Sequence, residues 1–258
     1  MAWDSGEYYR KWQEKNVQKL RQAGLKVNLF AVALLSAITT CLGAAQQLDA
    51  NALVRRIDAA NHARYDHILA YAVTEHYSVV RGNDPARPAA EITVLTTYHK
   101  ATGKSYSIRS QSGSTIILRF GLRPLLDTEK AINNPATVQN SWFSSANYDM
   151  KLKPDPLQRI GDRDCVALAI TPRRKAPNMI EGTLWVDPRD GTIAKVEGIA
   201  SKRPNPFAGT THMMRQYRNI DGYAMAIHAR AESDSALIGR TVVLIDYSDY
   251  HLQMTPEK

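Results

Sequence analysis

Cysteine is nearly absent from this chain: 258 residues hold only Cys41 and Cys165. Cys41 lies in an export-type segment, so removal of that segment leaves Cys165 alone and excludes an intramolecular disulfide. An exported chain without disulfides fits a bacterial envelope better than a eukaryotic secretory route, where small domains lean on such bridges. Cys165 opens the apolar run Cys165–Ile170 and reads as a buried structural thiol rather than a nucleophile. Catalytic signatures are missing as well. There is no Gly-x-Ser-x-Gly, no glycine-rich phosphate loop, no His-Glu-x-x-His and no Cys-x-x-Cys. Basic clustering is also lacking. The formal net charge is +8, but the longest Arg/Lys run is Arg173-Arg174-Lys175, and part of the excess falls in Met1–Lys26. Nucleic-acid proteins cluster their basic residues, so that class is excluded, while a weak pull toward anionic membrane surfaces is not. No internal repeat and no low-complexity tract occurs, which excludes a solenoid.

What is present begins with the export-type segment. Val27–Ile38 is apolar and nearly uncharged, Lys26 precedes it, and Gly43-Ala44-Ala45 places small residues before a cut at Gln46. A basic flank, an apolar core and a small-residue exit are the three parts of a secretory signal. The expected organisation is residues 1–45 as N-terminal extension plus signal, and residues 46–258 as a single exported, periplasmic domain. Two other readings stay open. Residues 27–45 approach the roughly 20 apolar residues of a span, which would make them an inner-membrane anchor, although Ser36, Thr39, Thr40 and Gly43 dilute them. Lipidation at Cys41 would need a small residue where Thr40 stands. Met1–Lys26, with Trp3, Tyr8, Tyr9 and Trp12, is long for a leader. It is either an extended leader, with a short helix over Glu7–Leu20, or lies upstream of a true start at Leu25 or Val27.

Beyond Asp49 the patterning is regular. Asp49 is a candidate N-cap for a helix to about Arg64, with Leu53, Ile57 and Ala60 on one face. The period then changes to two: His67–Arg81 places Leu69, Tyr71, Val73, Tyr77 and Val79 on one face, until Gly82-Asn83-Asp84-Pro85 breaks it. Glu91–Lys100 and Lys104–Ser110 form a hairpin about Thr102-Gly103. A helix is expected from about Gly113 to Asn133, interrupted near Pro124, followed by a loop with one helical turn over Pro135–Ala146. From there strands are expected at Tyr148–Leu152, Gln158–Ile160, Cys165–Thr171, Glu181–Val186, Thr192–Ala200, Thr211–Ile220, Ala224–Glu232 and Arg240–His251. Asp187-Pro188-Arg189-Asp190-Gly191 and Asp221-Gly222 carry good turn chemistry, so sequential strands pair antiparallel. The fold class is mainly β (α+β): a single curved antiparallel sheet forming an unclosed half-barrel, with helices over its concave face. Val242–Ile245 is apolar on both sides, so part of the sheet is covered twice.

Candidate chemistry mostly reduces to structure. His76 and His99 sit on neighbouring strands but lack a third metal ligand. Asp246, Asp249 and His251 suggest a triad without a serine, and read better as outer-face charges. Arg173-Arg174-Lys175 with Lys202-Arg203 reads as solvated turn residues rather than a basic rim. No catalytic residue, metal or cofactor is called for. The informative feature is apolar and aromatic side chains at alternating strand positions, which line either a packed core or a cavity for something greasy.

The stretch Glu181–Gly198, reading Glu-Gly-Thr-Leu-Trp-Val-Asp-Pro-Arg-Asp-Gly-Thr-Ile-Ala-Lys-Val-Glu-Gly, resembles the corresponding hairpin of exported bacterial proteins of the LolA/LolB type. Tyr217–Gly222 is similar to their next hairpin, and Asn147-Tyr148-Asp149 to an earlier strand. The resemblance extends over about Asp49–His251, with Gly113–Asn140 as an added segment. It implies an unclosed β-barrel with a helical lid that holds acyl chains in an apolar cavity. The function expected is a non-catalytic carrier for lipid or lipoprotein acyl chains. Its contacts would be the acyl chain, an envelope protein partner and, transiently, a membrane surface. The alternative is a membrane-anchored envelope sensor on the same fold. Expected cavity residues are Leu69, Tyr71 and Val73 on the first strand, Val166, Leu168 and Ile170 on a later one, and Trp185, largely buried beside the Asp187–Gly191 turn.

Overall fold

The computed structural model describes residues 49–82, 87–203, 209–235 and 239–256. The export-type segment, Cys41 and the stretch before it lie outside the described residues. The first element is α1 (Ala50–His67), capped by Asp49, whose carboxylate accepts from Asn51 N at 2.9 Å. Leu53 and Ile57, four apart and therefore on one face, are its fully buried residues. The helix passes without a loop into β1 (Ile68–Arg81).

Ten further strands follow among the described residues: β2 (Ala90–His99), β3 (Gly103–Gly113), β4 (Tyr148–Leu152), β5 (Gln158–Ile160), β6 (Arg163–Pro172), β7 (Ile180–Val186), β8 (Ile193–Ala200), β9 (Thr211–Ile220), β10 (Tyr223–Ser235) and β11 (Gly239–Met254). All pair antiparallel in one sheet of order β3-β2-β1-β11-β10-β9-β8-β7-β6-β4, with β5 on β6. Most neighbours are consecutive in the chain, and β4 on β6 skips only β5. Asp221 and Gly222 both adopt positive φ, 50° and 90°, as a tight hairpin joining β9 to β10 demands. The long-range exception is β1 on β11, which joins the first hairpin to the last. β3 and β4 are the ends of the order and do not pair, so the sheet stays open.

Directly opposed residues share a face. One rung therefore runs across eight strands: Leu168, Leu184, Val196, Arg215, Ala229, Ile245, Tyr77 and Ile92. Most are buried apolar groups, and Arg215 interrupts them. The cover on this face comes from the Gly113–Asn133 region. Ser114 caps α2 (Thr115–Ile117), a π-helical turn follows at Leu118–Leu122, and α3 (Arg123–Ile132) completes it. Pro124 sits in the first turn of α3 and has no N–H to donate backward, so the interruption falls just ahead of it as the wide turn Arg123 N to Leu118 O. Leu118, Leu122 and Leu126 pack onto Tyr77, Val79, Ile92, Val94, Ala229 and Ile245. A single 3-10 turn, Val138–Ser141, follows. Val80 and Val242 are buried on the opposite face from Val79, so the sheet is covered on both sides here.

Candidate functional site

Between this face and its helices lies a cavity of about 530 Å³. Ala60, Arg64 and Tyr65 reach it from the last turns of α1, Leu125, Glu129 and Ile132 from α3, and Trp142 and Phe143 from the following loop. Met213, Met225, Val243 and Ile245 floor it. Flexible thioethers and aromatic rings make an adaptable apolar lining. Tyr71 stacks on Tyr98 at 4.9 Å and lies 6.1 Å from Tyr250, and Trp142 sits edge-on to His62 at 5.2 Å.

Among the charged residues of this lining, four form a linked cluster. Glu75 takes the place of an apolar residue in the alternation Val73-x-Glu75-x-Tyr77, is 1% exposed, and stands opposite Val94 and Tyr247. Its Oε1 is 2.9 Å from Lys104 Nζ, and its Oε2 accepts from Tyr77 Oη at 2.6 Å. Lys104 Nζ lies 3.7 Å from Glu129 Oε2, and Glu129 Oε1 lies 3.6 Å from Arg215 Nη2. The result is an alternating chain of two anions and two cations. Burial disfavours the Lys104 ammonium, but Glu129 and Glu75 outweigh it and hold its pKa above the ordinary lysine value. Burial likewise opposes the Glu129 carboxylate, while Arg215 and Lys104 pull its pKa below the ordinary value. Burial raises the phenols of Tyr71 and Tyr247, which stay protonated donors at neutral pH.

The turn after β7 braces the middle of α1. Asp187 N donates to Thr192 O, Gly191 N to Asp187 O, and the Asp187 carboxylate binds the Arg189 side chain, which lowers its pKa. Arg56 Nη1 donates to Pro188 O at 3.0 Å, and Asp58 accepts from Ser145 N and Oγ. These bonds seat the helix against the turn and the loop that follows the cover.

The residues singled out from sequence fall in different places. Tyr71 lines the cavity. Val73, Leu168 and Ile170 are on the same face but buried in packed flanks; Leu69 and Val166 are half-buried. Trp185 does join the hairpin as expected, since Asp187–Gly191 links β7 to β8. It is half-buried on the face opposite Leu184, its Nε1 donating to Gln158 Oε1 at 2.8 Å and Lys195 Nζ lying 4.8 Å over its ring. Alternation identifies a face, but not the rung on which the layers fail to meet. Glu75, Lys104, Glu129 and Arg215 were not singled out. A charge at an apolar-face position, as in Glu75, was the available signal.

His76 and His99 do not meet: His76 stands opposite Thr93 and bonds Thr93 and Glu91, whereas His99 stands opposite Ala70. Among the described residues no three His, Cys, Asp or Glu side chains are placed to hold a metal. Asp246 accepts from His228 at 2.7 Å, and Ser248 donates to Asp249. Arg173 pairs with Asp149 at 2.7 Å, and Arg174 donates to Asn140 O. Cys165 is fully buried, and burial pushes its pKa up to about 11, which keeps the thiol protonated and unreactive at neutral pH.

No family profile matches this chain, and no curated protein matches it. Among solved structures it is similar to a LolA superfamily protein from Nitrosomonas europaea, at 15% identity over 80% of this chain and 94% of the other, with a TM-score of 0.43. It is also similar to a DUF1329 family protein from Desulfovibrio piger, at 14% identity, 79% and 92% coverage and a TM-score of 0.41. A third is an outer membrane lipoprotein-sorting protein domain from Vibrio parahaemolyticus, at 12% identity, 81% and 96% coverage and a TM-score of 0.43.

Proposed function

We propose that this protein is a non-catalytic binding or carrier protein for a lipid or for lipoprotein acyl chains, exported to the bacterial periplasm. The observation that carries this reading is the cavity of about 530 Å³, walled by Trp142, Phe143 and Ile132 and floored by methionines and aliphatics. Ligand sites are typically about 300–1,000 Å³ and mostly apolar. Each methylene moved into such a site gains about 0.8 kcal/mol, so a chain of ordinary length repays the cost of association. The one free thiol among the described residues is buried and held protonated, and both carboxylates of the central cluster, Glu75 and Glu129, are tied to cations, which suits holding better than reacting. Release requires displacement of the α3 cover or an acceptor more apolar than the cavity.

The outer side of the cover supports a membrane contact. Ile116 and Phe120, one helical turn apart, are 72% and 70% exposed, with Arg119 and Arg123 exposed beside them. Apolar side chains flanked by cations suit an anionic lipid surface. Export itself is supported by the Val27–Ala45 pattern. Native mass spectrometry of protein purified from its own envelope tests the reading. A co-purifying lipid mass that disappears on denaturation is expected. A ligand-free protein that also binds no fluorescent fatty-acyl probe overturns it.

A further inference from the structure

The charges that line the cavity are satisfied unequally. Glu75, Lys104, Glu129 and Arg215 bind one another in a chain. Arg230 binds Glu232 at 2.6 Å, and the Asp190 carboxylate accepts from Thr192 N and Oγ1. Arg64 is left over. It lines the cavity half-buried from the last turn of α1, where the helix carbonyls favour a cation. Its guanidinium makes no ion pair and no hydrogen bond among the described residues.

Two phenols share this wall. The Tyr71 and Tyr98 rings stack at 4.9 Å, both line the cavity, and neither hydroxyl makes a hydrogen bond among the described residues. Tyr250, 6.1 Å from Tyr71, differs in donating to Ala226 O at 2.8 Å. Burial keeps Tyr71 and Tyr98 protonated, and the Arg64 charge acts on both. The wall therefore presents one guanidinium and two phenolic O–H groups with no acceptor of their own. A guanidinium gives its strongest hydrogen bonds to carboxylate and phosphate oxygens, the more so away from bulk water.

We infer that Arg64, Tyr71 and Tyr98 form an anion subsite at one end of the cavity, so that the ligand is an amphiphile with a carboxylate or phosphate head and its apolar chain along Met213, Met225 and Trp142. This rests on the carrier reading and narrows it: a neutral acyl ester would leave the guanidinium unanswered.

The test uses three probes with one fluorescent polyene chain: parinaric acid, its methyl ester, and the lysophosphatidate carrying the parinaroyl chain. Each is titrated at about pH 8, where a carboxyl is ionised, into the wild type, Arg64→Gln and Arg64→Lys. At least one anionic probe is expected to bind the wild type about ten-fold tighter than the ester, a difference of about 1.4 kcal/mol. The tighter of the two anions names the head. Arg64→Gln should erase that preference by weakening the anionic probe far more than the ester, with the thermal midpoint held, and Arg64→Lys should retain part of it. Equal binding of acid, lysophosphatidate and ester, or an Arg64→Gln variant that weakens all three alike, overturns the anion subsite and leaves the carrier reading standing. Failure of every probe to bind overturns both.

Discussion

Glu129 Oε2 lies 3.7 Å from Lys104 Nζ, and its other oxygen lies 3.6 Å from Arg215 Nη2. One side chain of the covering helix thus reaches β3 and β9, which are separated by four strands in the sheet order. The cover is held to the cavity floor by charge as well as by the leucines of α3 and the π-helical turn.

Glu129→Gln should therefore destabilise the protein by about 2–3 kcal/mol, because it leaves the Arg215 guanidinium without its carboxylate. The urea midpoint measures this. The pH dependence has a definite sign. The folded-state pKa of Glu129 is below its ordinary value of 4.5, so its contribution is present above 4.5 and is lost as pH falls through the folded value. Lys104 is raised above its ordinary 10.5, so its contribution is full below 10.5 and is lost as pH rises through the folded value. Glu129→Gln should flatten the acid limb of a stability-against-pH curve. An acid limb unchanged from wild type would show that the pair does not tie the cover.

Gly191→Ala should cost at least about 2 kcal/mol, against about 1 kcal/mol for Gly161→Ala. Both glycines have positive φ, +75° and +61°. A Cβ at Gly161 meets nothing within 4 Å, whereas one at Gly191 would lie 2.4 Å from Arg56 C and 2.5 Å from Ile57 N. The difference between the two melting curves reads the contact of the turn with α1.

Tryptophan scanning separates cavity from packed core. Leu168→Trp and Val73→Trp force a ring into fully packed positions and should each lose about 1–3 kcal/mol. Met213→Trp faces open space, so it should keep most of its stability and lose fatty-acyl probe binding. Equal destabilisation by all three would mean that the cavity closes in solution.

The double variant Ile116→Ser, Phe120→Ser should bind vesicles containing anionic lipid several-fold more weakly than wild type. Its melting temperature should hold, since both side chains point to solvent. Sedimentation with vesicles measures the binding. Unchanged binding would remove the cover from the membrane contact.

Local chemistry was legible in the residues themselves. The Asp49 cap, the Leu53/Ile57 spacing, the two-residue period of β1 and the Asp187–Gly191 and Asp221-Gly222 turns each depend on neighbours within a few positions, and each appears where expected. The open antiparallel sheet follows from those signals together, because short turns force sequential pairing. The site did not follow in the same way. Glu75, Lys104, Glu129 and Arg215 meet only because β1 pairs with β11 and the covering helix folds over β3 and β9. The same alternation put Tyr71 on the cavity and Val73 in packing, and placed Trp185 on the far side of the sheet from Leu184. Periodicity is a property of one strand and settles which way a side chain points. Whether it meets a neighbour, a charge or empty space depends on how far apart two layers sit, and that distance is set by the packing of the whole fold.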